Sequence, residues 1–317
     1  MVAERQTTVA EDDEDVLPRL VSLAWAGWSL EMPRQWQPLK LLGTPQKGNV
    51  IVGDTECAIF SVHWERPEGL AISEGDAWVA GRLKKMGLSA EPNPPAHAHF
   101  TASGWAHGVQ TEEDKKTTYW YGYSAPAGLV LGVKVNGILP ADIRLAMEKD
   151  VLPSLRTTPQ TQAQNWSMYD ISFQSPVHYN LKQRHLFSGD VALSFAKGSR
   201  DVLLLRQIYP GDLALKRRPF ERWLDMRPFK EHRRLRRRAA RTDAWSDREH
   251  RHLTGIVRHG RKQLGMPLGW CSPRWTCALA VHDANLNRLL IAEHLSAGAA
   301  DQRMCERAIV RMNQARH

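Results

Sequence analysis

Long apolar runs are missing from this chain of 317 residues. The apolar stretch at residues 20–28 is too short for a membrane-spanning helix, which needs about 20 apolar residues. The N-terminus has no basic start followed by an apolar run and carries an acidic run at residues 11–15 instead. These absences predict a cytoplasmic protein without a membrane span, and the acidic composition predicts a disordered tail over residues 1–22.

Cysteine is also scarce, with four residues at positions 57, 271, 277 and 305. Cys271 and Cys277 are close enough in sequence to close a small disulfide loop, but their spacing is not that of a zinc pair. In a cytoplasmic protein we expect reduced thiols. Cys57 could be a nucleophile paired with His63 on the same strand face, but along a regular strand the two residues are too far apart to touch. Cys57 is therefore predicted to be a buried structural cysteine.

The histidines do not predict a metal site. His250, His252 and His259 fall on one predicted strand, where His250 and His252 share a face. A third ligand would have to come from Asp247 or Glu249, and Glu249 points to the opposite face of a regular strand. The sequence therefore predicts no bound metal and no cofactor.

Catalytic motifs are equally absent from the sequence. The Ser-Gly pairs at 103–104 and 188–189 indicate turns and not a Gly-x-Ser-x-Gly nucleophile elbow. The glycines at 122, 128 and 132 are spread too widely for a phosphate-binding loop. We therefore predict that the protein is not an enzyme.

The sequence also contains a weak internal repeat. At an offset of 141 positions, Trp28 aligns with Tyr169, Leu30 with Ile171, Met32 with Phe173, Gly48 with Gly189 and Val50 with Val191. Self-similarity at a domain-sized period indicates two copies of one domain and not a solenoid. Twelve tryptophans, several of them on predicted strands, are expected to fill the cores.

Apolar periodicity predicts the same order of elements in both copies. The first copy has a strand at 28–32, a hairpin of 49–52 with 57–64, a helix beginning near Ser73, strands within 99–110, 116–124 and 128–135, and a helix from Pro140. The second has a strand at 169–173, a hairpin of 190–195 with 202–209, a helix from Pro219, strands near 250–259, 275–281 and 287–292, and a final helix bearing Met304, Ala308, Ile309 and Met312.

This order predicts an α+β fold of two tandem antiparallel-sheet domains, each flanked by helices, packed together as a pseudo-dimer. The predicted boundaries are 23–155 for the first domain, 156–165 for a linker and 166–317 for the second domain. The second domain would carry a basic insertion at 216–251.

The opening Gly27-Trp28-Ser29-Leu30-Glu31-Met32-Pro33, followed by an apolar hairpin, a helix, a meander and a closing helix, resembles the PsbP-like superfamily. This superfamily includes the photosystem II extrinsic subunit, a yeast Ran-binding import factor and chaperones of type VI secretion effectors. The second copy departs from the pattern, with Tyr169 and Gln174 in place of the Trp and the Pro. The resemblance implies a binding, assembly or chaperone module and supplies no catalytic residues.

The basic charge of the chain is concentrated in one segment. Residues 216–251 contain 14 Lys or Arg and 6 Asp or Glu, a net charge of +8 (14 − 6), against +9 for the whole chain. Arginine predominates, and its planar fork suits carboxylates and phosphates alike. The residues predicted to bind a partner are the densest part of this segment: Lys230, Arg233, Arg234, Arg236, Arg237, Arg238 and Arg241.

Three interpretations of this segment remain open on the sequence. The first is docking to a protein partner or larger complex with an acidic surface. The second is binding to nucleic acid phosphates, although the chain has no helix-turn-helix, zinc finger, KH loop or aromatic RNP strand. The third is a solvated face without a dedicated partner. We expect the first, a non-enzymatic docking, assembly or chaperone subunit.

Overall fold

Antiparallel strands dominate the computed structural model, in which the described strands form three sheets. The structure describes residues 20–69, 74–87, 106–112, 115–169, 171–198, 201–216, 219, 221, 241–242, 246–250, 253–261, 275–296, 298 and 300–314. None of the helices in these ranges is long and apolar enough to cross a membrane. Of the predicted acidic tail, residues 1–19 lie outside the described ranges and residues 20–22 belong to the first strand.

The strands of the first half come in two groups, a hairpin and a larger sheet. They are β1 (Leu20–Trp25), β2 (Trp28–Pro33), β3 (Gln37–Gly43), β4 (Lys47–Gly53), β5 (Ala58–Glu65), β6 (Ala106–Glu112), β7 (Lys115–Ser124) and β8 (Leu129–Val135). Helix α1 (Gly75–Lys85) lies between β5 and β6. Helix α2 (Ala141–Ala146) continues through a π-helical turn (Met147–Val151) into α3 (Leu152–Ser154).

The second half follows the same plan. Its strands are β9 (Arg156–Thr157), β10 (Gln164–Met168), β11 (Ile171–Ser175), β12 (Asn180–Phe187), β13 (Asp190–Lys197), β14 (Asp201–Ile208), β15 (Arg241–Thr242), β16 (Ser246–His250), β17 (Leu253–Arg261), β18 (Trp275–Asp283) and β19 (Arg288–Ser296). Its described helices are α4 (Gly211–Leu215) and α5 (Gln302–Gln314).

Two hairpins, one from each half, join into a central sheet with the order β11-β10-β1-β2-β9. The β1–β2 turn places Ala26 at φ 49° and Gly27 at φ 93°, the left-handed pair that a two-residue hairpin turn requires. In the second hairpin Tyr169, at φ 54°, occupies the position of Ala26. Tyr169 therefore lies in the turn, and Ile171 takes the place of Trp28.

The large sheets of the two halves have matching strand orders. The six-stranded sheet runs β3-β4-β5-β8-β7-β6, and the eight-stranded sheet runs β12-β13-β14-β19-β18-β17-β15, with β16 also paired to β17. The edge strands β3 and β12, which are equivalent in the two sheets, each have a bulge, at Leu39 in β3 and at Lys182 in β12. These bulges are 143 positions apart (182 − 39), so the true offset differs by two from the sequence alignment.

The same offset governs the contact between the halves. Ala24 of β1 pairs with Ser167 of β10, again 143 positions apart (167 − 24). A residue that pairs with its own equivalent across two antiparallel strands lies next to a local two-fold axis. The hydroxyl of Ser167 also donates a hydrogen bond to the carbonyl of Ser22, at 2.7 Å.

The predicted α+β class, with two antiparallel-sheet domains each flanked by helices, is wrong because the chain is richer in strands. Sequence analysis missed β1, β3, β10 and β12. Strand β3 contains Pro38 and a bulge, and β12 carries Lys182, Arg184 and His185, so neither shows the alternation of a half-buried strand. Phe220, Trp223 and Leu224, the apolar face of the helix predicted from Pro219, lie outside the described residues.

One continuous core links the three sheets. The rings of Trp25 and Trp166, from the two central hairpins, meet edge to face with centroids 5.0 Å apart. Trp166 also packs against Phe195 of the eight-stranded sheet at 5.3 Å, and Trp28 packs against Trp64 of the six-stranded sheet at 6.1 Å. The central sheet therefore packs its rings against the inner faces of both large sheets.

The final helix confirms its predicted apolar face. Ala308, Ile309 and Met312 are buried, and Met304 packs against the same core. Helix α5 contacts β11 of the central sheet and β18 and β19 of the eight-stranded sheet. It therefore helps to fix the central sheet against the second half.

Replacing Trp166 with Ala tests this shared core. We expect the free energy of unfolding to fall by about 3–5 kcal/mol, because the change removes a large ring that packs against Trp25 and Phe195. Chemical denaturation should show one transition for both halves, shifted to lower denaturant. The exposed Leu39→Ala serves as a control and should cost under ~0.5 kcal/mol. A separate transition of the first half, unchanged in the Trp166 variant, would contradict a common core.

Candidate functional site

The predicted partner-binding arginines lie almost entirely outside the described residues. Lys230, Arg233, Arg234, Arg236, Arg237 and Arg238 belong to this part of the chain. Arg241 begins strand β15 and pairs along the backbone with Arg261 of β17. The structure thus shows where the basic segment rejoins the eight-stranded sheet, next to β17.

The strand order identifies the equivalent of the basic segment in the first half. Strand β5 is followed by residues 66–105 before β6, and β14 is followed by residues 209–252 before β17, its counterpart. These connections contain 40 and 44 residues. The first carries 4 basic and 4 acidic residues and the second carries 14 and 7, so their net charges are 0 and +7. The basic run predicted as an insertion therefore lies in a connection only slightly longer than its neutral counterpart.

A second candidate is a cavity of about 570 Å³ where the two halves meet, here called the junction cavity. Its walls come from the first half, from the chain between the halves and from the start of the second half. They are Ala26, Pro45, Gln46, Arg66, Gln160, Gln162, Gln164, Trp166, Pro176, His178, Tyr179, Asn180, Leu181 and Lys182. Its volume is within the usual range for small-molecule pockets.

Arg66 is the half-buried cation of the junction cavity. Its Nη1 donates to the carbonyl of Ala127, and its Nη2 donates to the carbonyl of Ala26 at 2.8 Å. Burial lowers the pKa of this guanidinium from its usual value. Among the described residues, no carboxylate lies within ion-pair distance of Arg66, so its charge is held in place by backbone carbonyls.

Gln164 contributes an acceptor next to this cation. Its Nε2 donates to the carbonyls of Pro159 at 2.7 Å and Gln162 at 3.0 Å, which fixes the orientation of the amide. Its Oε1 is buried and accepts no hydrogen bond from any described group. A Cβ at Gly27 would lie 2.5 Å from Arg66 Nη2 and 2.9 Å from Gln164 Oε1, so glycine leaves the room for both side chains.

Tyr179, which lines the cavity, is hydrogen-bonded to the buried His294. The backbone N–H of Asp301 donates to Nδ1 of His294 at 2.8 Å. Nε2 must then carry the proton, and it donates to the hydroxyl of Tyr179 at 3.2 Å. Burial lowers the pKa of His294, opposed by Asp201 and Asp301, and burial also raises the pKa of Tyr179 to about 12. Both rings are therefore neutral in the folded protein at neutral pH.

The cysteines correct one prediction and leave another untested. Cys57 is exposed in the turn before β5, where its N–H donates to Asp54, so the prediction of a buried cysteine is wrong. Cys277 and Cys305 are buried, and the Cys305 thiol donates to the Cys277 carbonyl at 3.6 Å. The hydrogen bond with the neighbouring Cys277, and then burial, raise the pKa of Cys305 well above its usual value. Cys271 lies outside the described residues.

The histidines predicted on one strand are distributed over two. His250 ends β16 and His259 lies on β17, while His252 lies outside the described residues. The residues that the structure describes contain no group of three His, Cys, Asp or Glu able to hold a metal ion.

Comparisons with known proteins identify no family. No family model matches the chain. No curated protein matches it either. Among solved structures, a protein of Bacteroides thetaiotaomicron VPI-5482 aligns at 12% identity with a TM-score of 0.30, over 47% of this chain and 53% of that one.

The buried His294 predicts a pH-dependent stability. The unfolded chain takes up a proton near pH 6.5, whereas the folded state resists protonation because its pKa is lower. Its stabilising effect is therefore complete above about pH 6.5 and is lost as the pH falls below that value. We expect the dependence of unfolding free energy on pH between 7.5 and 5 to be weaker in His294→Gln.

The control for this experiment is His178→Gln, since His178 is exposed. This variant reports the effect of removing an exposed imidazole, against which the effect of His294→Gln is compared. An identical slope in His294→Gln and the wild type would show that folding does not shift the pKa of His294, which would contradict the prediction.

Proposed function

We propose that the protein is a non-enzymatic docking subunit that binds a protein partner with an acidic surface through the basic segment 216–251. The observation that supports this proposal is the charge difference between two connections that occupy equivalent positions in the fold. The β5–β6 connection is neutral and the β14–β17 connection is +7. Because the strand orders match, folding alone does not explain why one connection carries this charge.

Arginine-rich surfaces suit a docking role for two physical reasons. The guanidinium fork forms two parallel hydrogen bonds to one carboxylate, which fixes orientation as well as adding attraction. A concentrated charge also speeds encounter with an oppositely charged surface, an effect that salt weakens. The PsbP-like resemblance of residues 27–33 likewise agrees with an assembly or chaperone module, and membership of that superfamily remains part of the proposal.

Charge reversal tests the docking role. We expect Arg233→Glu, Arg234→Glu, Arg236→Glu and Arg237→Glu together to weaken partner binding by at least about tenfold, because attraction is replaced by repulsion. The melt should stay cooperative, because surface substitutions usually cost under ~0.5 kcal/mol each. The measurement is a pull-down with the tagged full chain at low and high salt, with and without nuclease, followed by titration of the purified partner.

A matched control has the same charge change elsewhere. Arg34, Lys40, Lys84 and Lys85 are exposed in the first half, and their reversal to Glu should leave partner binding intact. A stoichiometric protein that resists nuclease, is lost with the arginine variant and is kept by the control supports docking. Loss of every partner on nuclease treatment, with direct binding to a duplex DNA or RNA probe, would instead assign the arginines to phosphate contacts. Loss of the cooperative melt would show that the segment is structural.

A further inference from the structure

We infer that the junction cavity is a binding site for a small hydroxylated anion, of the sugar acid or sugar phosphate class. This site is separate from the basic segment, and the inference does not depend on the docking function. It rests on the charge of the cavity wall, on the side-chain amides that line it and on the left-handed backbone of His178 at its rim.

The wall is cationic. Arg66 and Lys182 contribute two basic side chains, and His178 adds an imidazole ring. No Asp or Glu is among the described residues that line the cavity. Arg66 is half-buried and uses two of its five N–H groups on backbone carbonyls, so donors remain for an anion. A desolvated cation without a carboxylate partner favours an anion at this position.

The amide groups of the wall indicate hydroxyls on the same ligand. Five lining residues carry a side-chain amide, which both donates and accepts hydrogen bonds: Gln46, Gln160, Gln162, Gln164 and Asn180. An oxyanion alone accepts hydrogen bonds but does not donate them. A ligand with an oxyanion and hydroxyls can bind the cations of the wall through the first group and the amides through the second.

The backbone at the rim of the cavity is in an uncommon conformation. His178 has φ 69°, in the left-handed region that few non-glycine residues adopt. Such residues are found preferentially at binding sites, where the surrounding structure holds them in place. Lys182, next along this wall, is the bulge residue of β12, and a bulge redirects side chains at a sheet edge.

Residues from both halves of the chain form the wall of the cavity. Arg66 follows β5 of the first half, Gln164 begins β10, and Lys182 lies on β12 of the second half. Because a ligand would contact both halves, it should bind the folded chain and not the unfolded chain. Occupancy would therefore raise the melting temperature.

Binding is tested by calorimetric titration of the full chain with four probes: glucuronate, glucose 6-phosphate, glucose and inorganic phosphate. We expect at least one of the two sugar anions to bind with a Kd of about 1 mM or tighter and to raise the melting temperature. Glucose lacks the anion and phosphate lacks the sugar hydroxyls, so each should bind at least about tenfold more weakly. The two anion arms distinguish a carboxylate from a phosphate.

Lys182→Glu is the test variant, because Lys182 is exposed and its change should leave the fold intact. We expect affinity for the sugar anion to fall at least about tenfold. Lys197→Glu has the same charge change at an exposed position that does not line the cavity, and it should bind like the wild type. Absence of binding by both sugar anions would overturn the inference, as would equal binding of glucose or phosphate, or unchanged affinity in Lys182→Glu.

Discussion

The pairing of β1 with β10 is the contact on which the rest of the structure depends. An isolated two-stranded hairpin is marginally stable in water, and each half of the chain supplies one such hairpin to the centre. Pairing Ala24 with Ser167 removes one exposed edge from each hairpin and makes a single sheet of five strands. That sheet carries the rings that pack against both large sheets, so the hydrogen bonds of one strand pair and the burial of Trp25 and Trp166 support each other.

The contact between the hairpins also determines which parts of the two halves can differ from each other. Strand order, bulges and the central hairpins match between the halves, so these features serve folding in both. None of the described residues of the β5–β6 and β14–β17 connections belongs to the core that links the three sheets. One of them has become strongly basic while the other carries helix α1, whose Val79 and Leu83 pack on Tyr119 and Tyr121. A charged connection can therefore diverge without disturbing the packing that holds the halves together.

Sequence analysis succeeded where burial on one face imposes a period and failed where it does not. Strands β2 and β5 and the apolar face of α5 follow their periodic patterns closely, whereas β8 was predicted from a continuous apolar run that is buried on both faces. The edge strands β3 and β12 are half exposed, so their sequences keep little alternation, and the turn at Ala26 and Gly27 looks like a continuation of the strand. The junction cavity was not predictable at all, because Arg66, Gln164 and Lys182 are far apart in sequence. The local signal in the sequence is the run of Gln160, Gln162 and Gln164 within the predicted linker 156–165.

The two candidate sites depend on electrostatics of different range. A dense arginine segment acts on a partner through a field that spreads over several side chains, and ions screen that field beyond roughly 8 Å at physiological salt. Arg66 acts at contact distance from inside a partly desolvated wall, where screening by salt is weaker and each hydrogen bond has a defined direction. The first arrangement gives fast and adjustable association, and the second gives selection by shape and hydrogen bonding. The two proposals are therefore independent, because an anion bound in the junction cavity would leave the number of arginines in the basic segment unchanged.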